Sequence, residues 1–160
     1  MSDYEFSRWR LQLRMYRKLA DFRVVHLQIT TSVWWTVARY NVKLKSACCT
    51  MLRLLSGCNK LRVNMDTDID HAARVCTLCN NGRIEDVYHM VMDCAPYVEI
   101  RNTMHEKLHS CLQQDTERTL LYLPDMIKYY ILMGLDYPFA AEALWDIRYF
   151  SCQGIKRIII

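Results

Sequence analysis

Several common sequence features are scarce or missing in this chain of 160 residues. It has only four isolated glycines and three prolines, which excludes a Gly/Pro-rich linker and a glycine loop that cradles phosphate. No apolar run approaches the roughly 18 residues that a membrane-spanning helix requires. Internal repeats, low-complexity tracts and serine-nucleophile motifs are also missing. We therefore expect one compact unit without an enzymatic activity of its own.

The amino-terminal stretch is charged from its third residue and lacks the apolar segment of a secretion signal. We therefore expect an intracellular protein, nuclear or cytoplasmic. Thiols persist as thiols in a reducing compartment, so a close cysteine cluster there indicates a metal site in preference to a disulfide. Five of the eight cysteines stand in apolar or helical surroundings, where we expect small buried hydrophobic side chains: Cys48, Cys49, Cys58, Cys111 and Cys152.

The other three cysteines form a motif with one histidine. Cys76 and Cys79 have the two-residue gap that lets both sulfurs of a tight turn face one point. His89 and Cys94 follow, which gives the spacing C-x2-C-x9-H-x4-C and four soft ligands for a tetrahedral ion. The turn residues "NNG" at 80–82 reverse the chain between the two halves. The alternative is a chance pairing of core thiols with a surface histidine.

The second half of the motif, "RIEDVYHMVMDC" (83–94), has apolar residues at helical spacing and predicts a short helix that presents His89. No ligand position is left open, so we expect a structural metal and not a hydrolytic one. Zinc suits sulfur and imidazole ligands in tetrahedral array, although Fe(II) or Co(II) could occupy such a site. Glu85 or Asp93, each about one turn from His89, could accept the second imidazole N–H, or simply lie on a solvated helix face.

The stretch "CTLCNNGRIEDVYHMVMDCAPYVEIR" resembles the cysteine/histidine segment at the carboxyl end of non-LTR retrotransposon reverse transcriptases. In that family a C-x2-C pair is followed by an acidic stretch, a histidine and a final cysteine, commonly with Tyr and Arg soon after. The four ligand positions match, Glu85 and Asp86 fall on the acidic stretch, and Tyr97 and Arg101 on the tail. The upstream segment 46–64 is similar to the helix, glycine turn and extended segment that precede the metal site there. The resemblance therefore covers about residues 46–101.

The chain also departs from that family. A reverse transcriptase needs paired aspartates that hold two metal ions, and no such pair occurs in this sequence. The palm, the fingers and any endonuclease domain do not fit into 160 residues. The resemblance therefore implies a tail region without polymerase activity. The nine residues between Cys79 and His89 also differ from the four of the retroviral zinc knuckle.

Apolar spacing predicts a mainly α fold, a small helical domain with a CCHC zinc-bound turn–helix element. The predicted helices cover 4–25, 41–56 with Gly57 as its stop, about 100–111, a segment from Pro124 to Gly134, and 136–154. The inward positions of the last one are Ala140, Leu144, Ile147 and Phe150. Residues 23–37 are rich in β-branched and aromatic side chains and favour a strand, with a buried helix as the alternative. We divide the chain into a basic helical region (1–64), the zinc-binding segment (65–101) and carboxyl-terminal helices (102–160), as parts of one compact unit.

Charge is distributed unevenly along the chain. Residues 1–64 hold twelve Lys or Arg against three Asp or Glu, a balance of +9, and residues 65–160 hold nine against fourteen, a balance of −5. A basic half that also contains Trp9, Trp34, Trp35 and Tyr40 is typical of a surface that neutralises phosphates and stacks bases. The alternative is that the aromatics are core and the cations solvate helix faces. The candidate nucleic-acid-binding residues are Arg8, Arg10, Arg14, Arg17, Lys18, Lys43, Lys45 and Arg53.

Two functions remain open at this level. The first is a zinc-stabilised module that binds RNA or DNA, mainly through phosphates, as the retroelement resemblance implies. The second is a structural or protein-interaction module derived from a retroelement, whose basic face docks on an acidic partner and touches no nucleic acid. A reverse transcriptase or another protein is a further candidate partner. Catalysis is a distant third, because the other histidines are scattered and His105 and His109 fit a solvated helix face.

Overall fold

The computed structural model describes Leu11 and residues 19–25, 32–62 and 74–159. This part of the chain is mainly helical, as predicted, and contains an isolated β-bridge but no strand. Its α-helices are α1 (Ala20–Val25), α2 (Val33–Tyr40), α3 (Lys45–Leu55), α4 (Val98–Cys111), α5 (Gln114–Tyr122), α6 (Asp125–Leu132) and α7 (Ala141–Ile159). None of these helices combines the length and the hydropathy that crossing a bilayer requires.

Helix α2 corrects the strand favoured over residues 23–37. Trp34 and Val37, one helical turn apart, are both buried. The indole N–H of Trp34 donates to the backbone carbonyl of Met133 at 2.8 Å. Long-range packing of one helix face therefore overrides the local preference of β-branched and aromatic residues for extended backbone. The segment 26–31 and most of the helix predicted over 4–25 lie outside the described residues. Helix α1 is the last part of that predicted helix.

Helix α3 confirms the helix predicted over 41–56, although the first residues form a 3₁₀ turn and not an α-helix. A 3₁₀ turn over Val42–Leu44 leads into the α-helix, which ends before Gly57. Gly57 has φ +66°, the left-handed backbone that glycine adopts without a steric cost. Of the predicted inward residues, Leu52 is only partly buried, and the others are fully buried: Leu44, Cys48, Met51 and Leu55.

The carboxyl-terminal half has one more helix than predicted. The polar stretch expected to end a helix near 111 instead starts α5, in which every residue is at least partly exposed. Helix α6 ends as predicted before Gly134 (φ +108°). Helix α7 begins at Ala141 and not at Asp136, and it continues past Gly154 to Ile159. Ala140 is consequently exposed, whereas Ile147 is buried and the other two predicted inward residues are partly buried.

Helices α3 and α4 both pack against α7, and the buried apolar side chains of the described residues form one cluster. Gly154 lies where α4 meets α7, and a Cβ atom there would be 3.0 Å from Met104 Sδ, so glycine permits the close approach. Cys48 of α3 and Cys152 of α7 are buried as expected. Cys49 is partly buried, but Cys58 and Cys111 are exposed, which corrects their assignment to the core.

The neighbouring Trp34 and Trp35 provide a test of this packing. Trp34 is fully buried and hydrogen-bonded, whereas Trp35 is 56% exposed. Trp34→Phe leaves the Met133 carbonyl without its donor and opens a small cavity, so we expect a loss of about 2 kcal/mol in the free energy of unfolding. Trp35→Phe serves as the control, with an expected change within about 0.5 kcal/mol. Equal losses for both variants in urea unfolding would contradict this packing of α2.

Candidate metal centre

The first half of the centre is a tight reversal of the chain. Val75 and Ile84 form an antiparallel β-bridge. On either side of it, Cys76 N donates to Arg83 O at 2.8 Å and Glu85 N donates to Arg74 O at 2.9 Å. The turn between them uses positive φ at Asn80 (53°) and Gly82 (72°), as the "NNG" stretch predicts. These bonds anchor both ends of the segment that carries Cys76 and Cys79.

The second half is a short helical segment that begins later than predicted. Ile84 belongs to the β-bridge, and helical backbone starts at Val87. The Asp86 carboxylate accepts the backbone N–H of His89 at 2.7 Å, the bond that a helix N-cap makes. From His89 to Asp93 the segment is a π-helical turn, which Cys94 N closes by donating to His89 O at 2.8 Å. The cap and the wide turn together fix the direction in which His89 projects.

The four predicted ligands converge. One ligand atom from each of Cys76, Cys79, His89 and Cys94 lies within 4.8 Å of all the others. Cys79 Sγ lies 3.3 Å from His89 Nε2, and the sulfurs of Cys76 and Cys94 are 3.9 Å apart. Three of the residues are buried and Cys79 is partly buried. These four side chains are close enough to bind one metal ion, and Nε2 is the histidine nitrogen that faces the sulfurs.

Two of the thiols have shifted pKa values. Burial opposes ionisation of Cys76, but hydrogen bonds from the backbone N–H groups of Cys79 and Leu78 outweigh it and hold the pKa of that thiol below its usual value. Burial, together with the adjacent Cys76, raises the pKa of Cys94 to about 12. Without a cation, at most part of the cluster can therefore be thiolate, since a second buried negative charge is repelled by the first.

The second imidazole nitrogen of His89 corrects one prediction. His89 Nδ1 is buried and has no hydrogen-bond partner among the described residues. The two carboxylates proposed as its acceptors are engaged elsewhere: Glu85 with Arg62 at 3.6 Å, and Asp93 with Arg83 at 3.0 Å. Asp93 fits the alternative of a solvated helix face, whereas Glu85 precedes the helical segment and its side chain is only 13% exposed. His89 is instead oriented through its backbone, by the Asp86 cap.

The tail after the last ligand is attached to the centre through the backbone. Cys94 O accepts a hydrogen bond from the Arg101 guanidinium at 2.8 Å and another from Tyr97 N at 3.1 Å. Tyr97 and Arg101 are the two tail residues that the resemblance singles out. Their role in this structure is to hold the Cys94 backbone against the start of α4.

The predicted nucleic-acid-binding residues are only partly described. Lys43, Lys45 and Arg53 are all exposed at or near α3. The other five lie outside the described residues, as does Trp9. Among the aromatics of the basic half, Trp34 is core, whereas Trp35 and Tyr40 are exposed. His105 and His109 are exposed on α4, as expected, and His109 pairs with Glu117.

The sequence analysis did not predict two features, the Asp86 cap and the position of Lys156 and Arg157 beside Lys43. The Asp86 cap had a local signal, an aspartate three residues before His89 at the start of a helical segment. Lys156 and Arg157 had no such signal in the sequence, because they belong to the half of the chain whose net charge is negative. In the structure they line one cavity together with Lys43. Distant residues of like charge meet there only through the packing of α3 against α7.

Comparison of the chain with known protein families, curated proteins and solved structures finds no match. The function of the centre is therefore inferred from its own residues and geometry.

Removing one ligand should empty the centre. In Cys79→Ser three donors remain, and a hydroxyl is a poor replacement for a soft thiolate. We expect this variant to lose its bound metal and most of the stability that the metal supplies. Metal content by elemental analysis and the melting temperature report the two losses. Cys111→Ser, an exposed thiol outside the centre, is the control and should retain both. Equal metal content in the two variants would show that the cluster does not bind the ion.

The Asp86 cap can be tested separately from the ligands. Asp86→Ala removes the acceptor of the His89 N–H, so we expect about a tenfold loss of metal affinity. Asp86→Asn keeps a side-chain oxygen that can accept this bond, and its affinity should stay close to that of the wild type. Competition with a chelator measures both. If Asn lowers the affinity as much as Ala does, the carboxylate charge and not the cap is responsible.

Proposed function

We propose that the ion is zinc and that the centre is structural. The observation that carries this proposal is the convergence of three sulfurs and one imidazole nitrogen within 4.8 Å. This Cys₃His donor set is typical of closed structural zinc sites. No coordination position is left for a substrate, so the ion holds the chain together and does not activate water. Elemental analysis of protein purified without added metal tests the identity of the ion, and iron in place of zinc would contradict it.

The stabilisation should be large for so small a segment. The centre ties the turn at 76–82 to the helical segment at 87–94, and structural zinc contributes on the order of 10 kcal/mol apparent in small zinc peptides. The tie also reaches α4, since the Cys94 carbonyl holds Arg101. A folded zinc segment therefore helps to fix the start of α4.

We propose further that the chain is a non-catalytic nucleic-acid-binding module, similar to the carboxyl-terminal tail of a retroelement reverse transcriptase. The order and spacing of the four ligands, with Tyr97 and Arg101 behind them, support the resemblance. The balance of +9 over residues 1–64 and the exposure of Lys43, Lys45 and Arg53 support contact with phosphates. The zinc segment is not basic, because Arg83 is paired with Asp93, so its role is architectural.

A salt series tests nucleic-acid binding. Contacts to phosphates release counterions, so the affinity for RNA or DNA should fall steeply as salt rises from about 50 to about 200 mM. Fluorescence anisotropy with zinc-loaded protein measures it. Zinc-depleted protein is the comparison and should bind more weakly, because the helices lose their anchor. Negligible binding at about 50 mM salt by folded, zinc-loaded protein would exclude this function and favour the structural or protein-interaction module.

A further inference from the structure

Two cavities lie where α3 and α7 meet, and residues of both helices line each of them. The first, of about 430 Å³, is lined by Lys43 and Ala47 on one side and by Gln153, Lys156 and Arg157 on the other. The second has a volume of about 540 Å³, and it is lined by later residues of the same two helices and by the segments around the metal centre. Its lining includes Thr50, Arg53 and Leu54 of α3 and Ile158 and Ile159 of α7. We call the two cavities together the α3–α7 groove.

The groove is strongly cationic. Lys43, Lys156 and Arg157 line the first cavity without any acidic residue. Arg53 and Lys60 line the second. None of these five cations forms an ion pair with another described residue. Several unpaired cations along one groove create a positive potential that favours a polyanion over a neutral ligand.

The acid in the groove does not offset these cations. Glu85 is the acidic residue in the lining of the second cavity. Its carboxylate is paired with Arg62, with 3.6 Å between Oε2 and Nε, and it also accepts from the Arg62 backbone N–H at 3.4 Å. Since the charge of Glu85 is balanced locally, the five cations determine the sign of the potential in the groove.

The second cavity adds an apolar surface beside the metal centre. Leu61 and Met90 are buried in its wall, and Tyr97 is partly buried there. Leu78, from the turn between Cys76 and Cys79, is 49% exposed and also lines the cavity. An apolar and aromatic wall next to cations suits a planar base that is covalently joined to a phosphate. An acidic peptide without apolar side chains would use the cations but would leave this wall uncovered.

The length of the groove fits several nucleotides. Lys43 and Arg53 are ten residues apart, which corresponds to about 15 Å at 1.5 Å per helical residue. A stacked nucleic-acid strand advances about 3.4 Å per nucleotide, so about four nucleotides span this distance. That number lies at the lower end of the site sizes, about 4–16 nucleotides, of single-strand binding folds.

We propose that the α3–α7 groove binds a single strand of nucleic acid, with its phosphates on the five cations and one base in the apolar cavity beside the metal centre. An unpaired strand is required because a base inside a duplex cannot enter the cavity. This inference rests on the proposed nucleic-acid-binding function, and it assigns that function to a surface that includes Lys60, Lys156 and Arg157. Either RNA or DNA can be this strand, because both have the phosphates and the planar bases that the groove would contact.

Charge-removing variants test the phosphate contacts. Lys43→Gln and Lys156→Gln each remove one cation from the groove, and Arg118→Gln, on exposed α5, removes one elsewhere. Loss of one phosphate contact on a single strand lowers the slope of log affinity against log salt by about 0.7 and the affinity about fivefold at 0.1 M salt. We expect both losses in the groove variants and neither in Arg118→Gln, measured on zinc-loaded protein with labelled single-stranded RNA and DNA of about twelve nucleotides.

A second pair of variants tests the base contact. Leu78→Ser reduces the apolar wall at an exposed position that is not a metal ligand, and Leu121→Ser is the matched control, 59% exposed on α5. We expect Leu78→Ser to weaken binding of a normal single strand several-fold and to leave unchanged the binding of a strand whose bases are replaced by abasic sugars. Leu121→Ser should change neither. Equal weakening of normal and abasic strands by Leu78→Ser would overturn base insertion.

The outcomes separate this proposal from the function on which it rests. If folded, zinc-loaded protein binds no nucleic acid, the proposed function fails and the groove assignment fails with it. If it binds but Lys43→Gln and Lys156→Gln behave like Arg118→Gln, the module function stands and the groove proposal is overturned. Binding of a duplex as tightly as a single strand, or displacement of the strand by an equal charge of polyglutamate, also overturns it. A difference in affinity between the RNA and DNA arms identifies the preferred strand.

Discussion

The candidate metal centre depends on the convergence of three sulfurs and an imidazole, whose residues are buried except for the partly buried Cys79. Buried polar groups require partners, and the Nε2 atom of His89 faces the sulfurs, 3.3 Å from Cys79 Sγ. Burial together with neighbouring thiols opposes ionisation of Cys94. A bound cation would reverse this balance, because it would stabilise the thiolates and take up the Nε2 lone pair. One ion would then hold the turn, the helical segment and the start of α4.

The ligands could be predicted because their information is local. The turn and the helical segment that bring the four ligands together both lie within the motif, and "NNG" specifies the reversal between them. Most helices of the described residues were predictable for the same reason, since α3 and α4 show their inward faces at helical spacing. Where the pattern was weak, as in polar α5, the helix was missed.

The errors arise where distant parts of the chain meet. Trp34 is helical because its indole reaches Met133, a contact across 99 positions that no local pattern contains. Lys156 and Arg157 belong to the acidic half in sequence but lie beside Lys43 in space. The net charge of each half of the sequence therefore does not reveal this cationic surface, because the packing of α3 against α7 brings cations from both halves together. Gly154, expected to end a helix, instead lets α7 continue against Met104 and carry these cations to their position.

The π-helical turn between His89 and Cys94 links the winding of the backbone to occupancy of the centre. In a regular α-helix, residues five positions apart point about 140° away from each other. The hydrogen bond from Cys94 N to His89 O widens the turn and brings both side chains to the same side. Wide turns of this kind are rare, since regular winding is favoured. Regular winding of this segment would turn His89 and Cys94 away from each other, so the wide turn is what keeps the last two donors of the cluster within reach of the first two.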